Sequence, residues 1–270
     1  MIRQIGMIGT GNMGSAILRG IVDAGYVKPS QLTVFDVSKR RMREISEDIP
    51  GLKTAADCRE VAESSDLIIL AVKPLYMQEV IDELRPALRG KSVLSIAAGW
   101  TVDMLEEAFR GTGAAWMRVM PNTPAMVGEG MTAVCDDTTF SQEDFEFAKG
   151  IFDALGKTKI LPERLFDGVT AISGSSPAYV YMLIEAMADA GVREGIPRNY
   201  AYEMAAQSVL GSALMVLSSG THPAALKDAV CSPGGTTIEA VAALEKNGFR
   251  NAVMEAMKAC ADKSRDMSKK

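Results

Sequence analysis

The chain has 270 residues, 47% of them hydrophobic and 23% charged, enough to bury one large or two medium cores as an ordinary soluble globule. Lys and Arg number 29 against 34 Asp and Glu, and a net charge of −5 gives no support to a nucleic-acid or membrane-surface partner. Cys58, Cys135, Cys231 and Cys260 form no C-x-x-C pair, which argues against a zinc site or redox dithiol and for reduced cytoplasmic thiols; no metal is expected.

The first element is a strand-like run, Ile5 to Ile8, with no basic-then-apolar leader ahead of it, so cytoplasmic residence is the expectation. Gly9, Thr10, Gly11, Asn12, Met13 and Gly14 follow directly and open a helix, the context in which G-x-G-x-x-G reads as a dinucleotide fingerprint. Gly9 permits the tight turn, Gly11 lets a pyrophosphate approach the backbone, and Gly14 lets helix and strand pack closely. A nicotinamide or flavin dinucleotide follows, with Ile8 through Met13 as its first contacts.

The next strand, Leu32 to Phe35, ends at Asp36, where a carboxylate would accept from the adenosine ribose and repel a 2′-phosphate, favouring NAD. Ser38, Lys39, Arg40 and Arg41 come at once afterwards, and a hydroxyl with three cations suits a 2′-phosphate, so NADH and NADPH both stand. Further strands are expected at Leu67 to Val72, Ser92 to Ile96, Ala115 to Val119 and Thr132 to Val134, alternating with helices as a parallel sheet with crossovers requires. Their ends supply Ala71, Val72, Lys73 and Pro74, then Ala97, then Asn122 between Pro121 and Pro124, whose amide could hydrogen-bond nicotinamide or substrate.

From Arg164 onward strand-like runs give way to helix punctuation, so the expected division is an α/β Rossmann-type domain over 1–162 and an all-α domain over 163–270. Two long helices, Pro177 to Glu194 and Pro197 to Ser219, are apolar around most of their circumference and must be covered on nearly all sides. Helix of this extent cannot cover them within one protomer, so a homodimer through this domain is predicted. The most apolar stretch, Met204 to Leu217, is interrupted by Gln207, Ser208 and Ser212 and is too short for a membrane span. A short polar tail ends in Lys269 and Lys270.

Ser232, Pro233, Gly234, Gly235, Thr236 and Thr237 place a glycine turn and two hydroxyls at a helix start, and Thr236 with Glu239 fits a capping box. The N–H groups of such a first turn, at the positive end of the helix dipole, suit a carboxylate or phosphate. Residues that are missing sharpen this. A hydroxy-acid dehydrogenase needs a His or Lys beside the substrate oxygen. The only histidine, His222, precedes Pro223 at a helix start, and no lysine lies between Lys159 and Lys227. Reduction of a C=N bond avoids the difficulty, because an iminium already carries its proton. A carboxylate held on Gly234 to Thr237 and a ring nitrogen on a threonine hydroxyl would then position an imino acid for hydride transfer.

With the fingerprint, Ala71 to Pro74, Asn122 to Pro124, Gly128 to Gly130, Ser173 to Tyr179 (SGSSPAY) and the span from His222 to Phe249, the chain resembles the pyrroline-5-carboxylate reductase family nearly end to end. The resemblance implies a Rossmann domain, a helical domain interlocked with its twofold mate, active sites built from two chains, and dimers that assemble into decamers. It implies NADPH or NADH as cofactor, Thr237 as the catalytic hydroxyl on the pyrroline nitrogen, and Gly234, Gly235 and Thr236 on the carboxylate. Ser175, Asp228, Val230 and Ser232 match positions lining the same pocket. Ser176 stands where the family usually has glycine, Cys231 where many relatives have serine, and Asp36 and Val37 where NADPH-preferring members carry small or basic polar residues. A β-hydroxyacid dehydrogenase would carry a lysine in the helix from Pro177 to Glu194, which has none; a catalytically silent dinucleotide-binding protein would not need the intact turn at Ser232 to Thr237.

Overall fold

In the computed structural model, residues 4–268 are described; the polar tail at Lys269 and Lys270 lies outside them. The chain forms two compact units, residues 1–175 with 260–270, and Ser176–Ala259.

The first unit is a sheet with helices on both faces. In chain order it runs β1 (Ile5–Ile8), α1 (Asn12–Asp23), β2 (Leu32–Phe35), α2 (Lys39–Asp48), β3 (Lys53–Thr54), α3 (Cys58–Glu63), β4 (Leu67–Leu70), α4 (Met77–Leu84) and β5 (Ser92–Ser95). Then come α5 (Val102–Phe109), β6 (Ala115–Met120), β7 (Gly130–Cys135), α6 (Gln142–Asp153), β8 (Gly156–Leu161) and α7 (Phe166–Val169). The strand order is β3-β2-β1-β4-β5-β6-β7-β8. Because both faces are covered, the central strands read as unbroken apolar runs with each face drawing alternate residues. Ile5, Met7, Leu67 and Ile69 join the core on one side, Ile8, Ile68 and Leu70 that on the other. Ser38, Asp57, Thr101 and Ser141 cap α2, α3, α5 and α6 with their side chains.

The sheet departs from an all-parallel one at β6 and β7, which pair antiparallel with Val119 opposite Val134. A short connection through Pro121, Pro124 and Gly128 (φ 74°) joins them, leaving no room for a crossover helix. The edge strands β3 and β8 are additional to those expected from sequence. β3 is two exposed residues, and β8 (GKTKIL) carries Lys157 and Lys159, the polar composition of a sheet edge protected from further pairing.

The division between the units falls at Ser175, later than the expected 162. Phe166 and Val169 of α7 are buried in the sheet's core, and the Arg118 guanidinium lies 4.6 Å from the centre of the Phe166 ring while pairing with Glu163. A π-helical turn over Thr170–Gly174 follows. The end of the last helix also belongs here, with Ser264 Oγ donating to Asp167 at 2.6 Å.

The second unit contains α8 (Ser176–Arg193), α9 (Arg198–Ser219), α10 (Pro223–Ala229), α11 (Thr236–Lys246) and the start of α12 (Phe249–Met267). Among its described residues only the alanines Ala188, Ala201 and Ala205 are buried apolar groups. Tyr181, Met182, Met204 and Leu217 stand at 60–69% exposure, so the apolar circumference of α8 and α9 is uncovered within one chain.

Candidate functional site

A cavity of about 800 Å³ opens where β1, β2, β4 and β5 end. Ile8, Gly9, Gly11, Asn12, Met13, Asp36, Ala71, Val72, Lys73, Pro74 and Ala97 all line it. The glycines divide the work there. Gly9 turns at φ 97°, and a Cβ on it would lie 2.6 Å from Ala71 O; a Cβ on Gly14 would lie 2.1 Å from Gly9 O. These two let α1 start hard against β1. A Cβ on Gly11 would meet only Arg41 Nη1, at 3.6 Å, so Gly11 leaves open space over the helix start rather than relieving a clash. Gly11 is also the N-cap of α1, and no side chain caps that helix. A bare helix start facing a cavity is the fit expected of a pyrophosphate cradle, and the small side chains of Ala71, Ala97 and Ala98 leave the rest of a dinucleotide room.

Two expected cofactor residues do not line the cavity. Thr10 is buried, and its N–H and hydroxyl both donate to Asp36 Oδ2, at 2.8 and 3.2 Å. Asn122 is also buried: its Nδ2 donates to Ser173 O at 3.0 Å and its Oδ1 accepts from Met131 N at 2.8 Å. Through these two bonds the amide ties β7 to the π-helical turn. Pro121 lines the cavity in its place.

Other lining residues were not singled out from sequence as contacts, among them Val80, Glu83 and Cys58. Their elements, α3 and α4, carry ordinary amphipathic patterns with nothing to mark an inward-facing rim. Burial, reinforced by Glu83 and Asp57, pushes the Cys58 thiol up to about 12.

The glycine-threonine turn lies in the second unit. Gly234 has φ 65° and needs glycine, whereas a Cβ on Gly235 would stand 2.4 Å from Ser232 Oγ, a hydroxyl that would have to turn away. Gly235, not Thr236, is the N-cap of α11, and no side chain caps the helix. This corrects the capping box: Thr236 and Glu239 both lie inside the first turn, one residue too late to cap it. The first-turn N–H groups, including those of Thr236 and Thr237, lack intrahelical partners by the geometry of a helix start. Ser232 is held into the turn by its carbonyl, which accepts from Gly235 N at 3.0 Å. Val230 is exposed, and Asp228 pairs with Lys227 at 2.6 Å, which raises the Lys227 pKa. Ser175 belongs to the first unit, where its hydroxyl accepts from the Cys260 thiol at 3.3 Å. His222 caps α10, its Nδ1 accepting from Ala224 N at 3.2 Å. Among the described residues no helix is long and apolar enough to cross a membrane.

Comparison with known proteins covers both units. The family model described as pyrroline-5-carboxylate reductase dimerisation matches residues 163–267, and that described as NADP oxidoreductase, coenzyme F420-dependent, matches residues 4–99. The chain is similar to the pyrroline-5-carboxylate reductase of Escherichia coli (strain K12), 48% identical over 270 residues and all of both chains. It is also similar to that of Arabidopsis thaliana, 41% identical over 98% of this chain and 95% of the relative. Among solved structures, Plasmodium falciparum pyrroline carboxylate reductase with NADP bound superposes with a TM-score of 0.90 at 36% identity, covering 98% of each chain.

Proposed function

This chain belongs to the pyrroline-5-carboxylate reductase family, and from that premise we propose how its own residues reduce L-1-pyrroline-5-carboxylate to L-proline. The observation that carries the assignment is the bare start of α11, where Gly235 caps without a side chain and leaves N–H donors to a ligand. The Gly9 to Gly14 turn and the loops ending at Pro74 and Ala97 hold NADPH or NADH, which when bound supplies a hydride to the C=N carbon. The N–H groups around Gly234, Gly235 and Thr236 hold the substrate carboxylate, and the Thr237 hydroxyl accepts from the iminium N–H, fixing the ring for attack. Ser175, Asp228, Val230 and Ser232 complete the pocket, with the turn and the cofactor contributed by two protomers as the family resemblance implies.

No protein acid enters this scheme. The iminium arrives protonated, and hydride transfer converts it directly to the amine. That agrees with the roles already filled by the nearest candidates, His222 as a helix cap and Lys227 as the partner of Asp228. The test is the initial rate of purified protein with pyrroline-5-carboxylate and each cofactor in turn; oxidation of neither rejects the reading.

The helical domain is a dimerisation domain, and a decamer of five dimers is the further assembly we propose, with 1–162 and 163–270 as the domains that build it. Light scattering distinguishes two chain masses from ten. Cytoplasmic residence is proposed from the four free cysteines.

A further inference from the structure

An aspartate at the end of the second strand ordinarily grips the adenosine ribose through both carboxylate oxygens and so selects NAD. In this chain that carboxylate faces inward. Asp36 Oδ2 accepts from Thr10 N and Thr10 Oγ1 at 2.8 and 3.2 Å, and Oδ1 accepts from Ser38 N at 2.8 Å. The side chain is 6% exposed. Oδ2 has both lone-pair directions occupied, so a two-oxygen grip on the ribose hydroxyls is not available without dismantling the turn. Asp36 is a brace that holds the fingerprint loop against the start of α2.

The three cations after Ser38 are not equivalent. Arg40 is turned to Glu44 at 2.6 Å, and Lys39 lines an adjoining groove beside Met42 and Arg43. Arg41 lines the dinucleotide cavity: its Nη1 lies 3.8 Å from Asp36 Oδ2 and closest to the space over Gly11. Its position is set by its backbone N–H, which donates to Ser38 Oγ at 3.4 Å. The guanidinium offsets the Asp36 carboxylate and keeps further N–H donors for an incoming anion.

From this geometry we infer that Arg41 is the residue that sets cofactor choice, binding a 2′-phosphate on the adenosine ribose, while Asp36 braces the loop instead of gripping the ribose through both oxygens. The inference rests on the dinucleotide reading of the cavity. NADPH is then preferred to NADH despite the aspartate.

Calorimetric titration of the full chain with adenosine 2′,5′-bisphosphate and with adenosine 5′-monophosphate tests it without turnover. The bisphosphate binds more tightly to the parent. Arg41→Ala weakens the bisphosphate by about 10- to 100-fold and leaves the monophosphate within about twofold. Arg41→Lys recovers part of the loss, and Asp36→Asn weakens both ligands alike by loosening the Thr10 turn. Equal loss of both ligands in Arg41→Ala, or no loss, overturns the assignment. So does an Asp36→Asn that loses only the monophosphate, because the carboxylate would then be reading the ribose. Failure of both ligands to bind the parent removes the cofactor reading itself, and this assignment with it.

Discussion

Gly11→Ala and Gly14→Ala add the same methyl group three residues apart in one fingerprint, yet they should fail in opposite ways. At Gly14 the new Cβ would stand 2.1 Å from Gly9 O, where ordinary contact begins near 3.4 Å. The obstacle is backbone, so α1 must move away from β1 by roughly 1 Å, an overpacking cost of about 1–3 kcal/mol. At about 2–4 °C per kcal/mol for a chain of this size, Tm should fall by roughly 2–12 °C. At Gly11 the φ of −66° is open to any residue, and the methyl meets nothing nearer than Arg41 at 3.6 Å. Stability should be unchanged or gain up to about 1 kcal/mol from the stiffer unfolded chain. The methyl nevertheless occupies the space through which a pyrophosphate approaches the helix start. Loss of one charge-assisted hydrogen bond, about 1.5–3 kcal/mol, weakens NADPH and NADH alike by about 10- to 100-fold. Thermal denaturation paired with fluorescence titration of each cofactor reads both effects. A Gly11→Ala protein that binds as the parent does, or a Gly14→Ala protein with unchanged Tm, refutes this division of labour.

Thr237→Ala should lower kcat/KM for pyrroline-5-carboxylate by about 10- to 100-fold with little change in NADPH affinity, and Thr237→Ser should restore most of it; steady-state kinetics with a cofactor titration checks both. Arg118→Ala leaves Glu163 with the Val102 N–H but no cation and empties the space over Phe166, and urea denaturation should show a loss of about 3 kcal/mol. With its thiol pushed up to about 12, Cys58 keeps its proton when folded, whereas in the unfolded chain it titrates near the ordinary thiol value of 9.0. Its contribution to stability is therefore complete below pH 9 and lost as the pH rises toward 12. At pH 9 iodoacetamide should label Cys58 far more slowly in the native protein than in urea, by peptide mass spectrometry; equal rates would contradict the burial.

What the sequence made legible was local. The fingerprint, the strand before it and the helix after it are contiguous, so their geometry follows from residue type and spacing, and the absence of lysine from α8 is a fact of composition. Side-chain direction is not local. Asp36 could face a ribose or Thr10, and only the packed loop decides; Asn122 spends its amide on Met131 and on Ser173, 51 residues further along. β8 escaped notice because Lys157 and Lys159 give an edge strand the composition of a loop. The capping box failed by one residue, because Gly235 can take the extended cap conformation (φ −84°, ψ 171°) and starts the helix after itself.

The second unit buries three alanines and little else that is apolar. Such a segment has almost no folding free energy of its own, so its mate must act as a ligand for it, and stability becomes a function of protein concentration. Dilution then works as a denaturant, and Tm should climb with every tenfold rise in concentration. A subunit damaged in α8 or α9 harms the sound copy it pairs with, so lesions there act on pairs of chains and not on single ones.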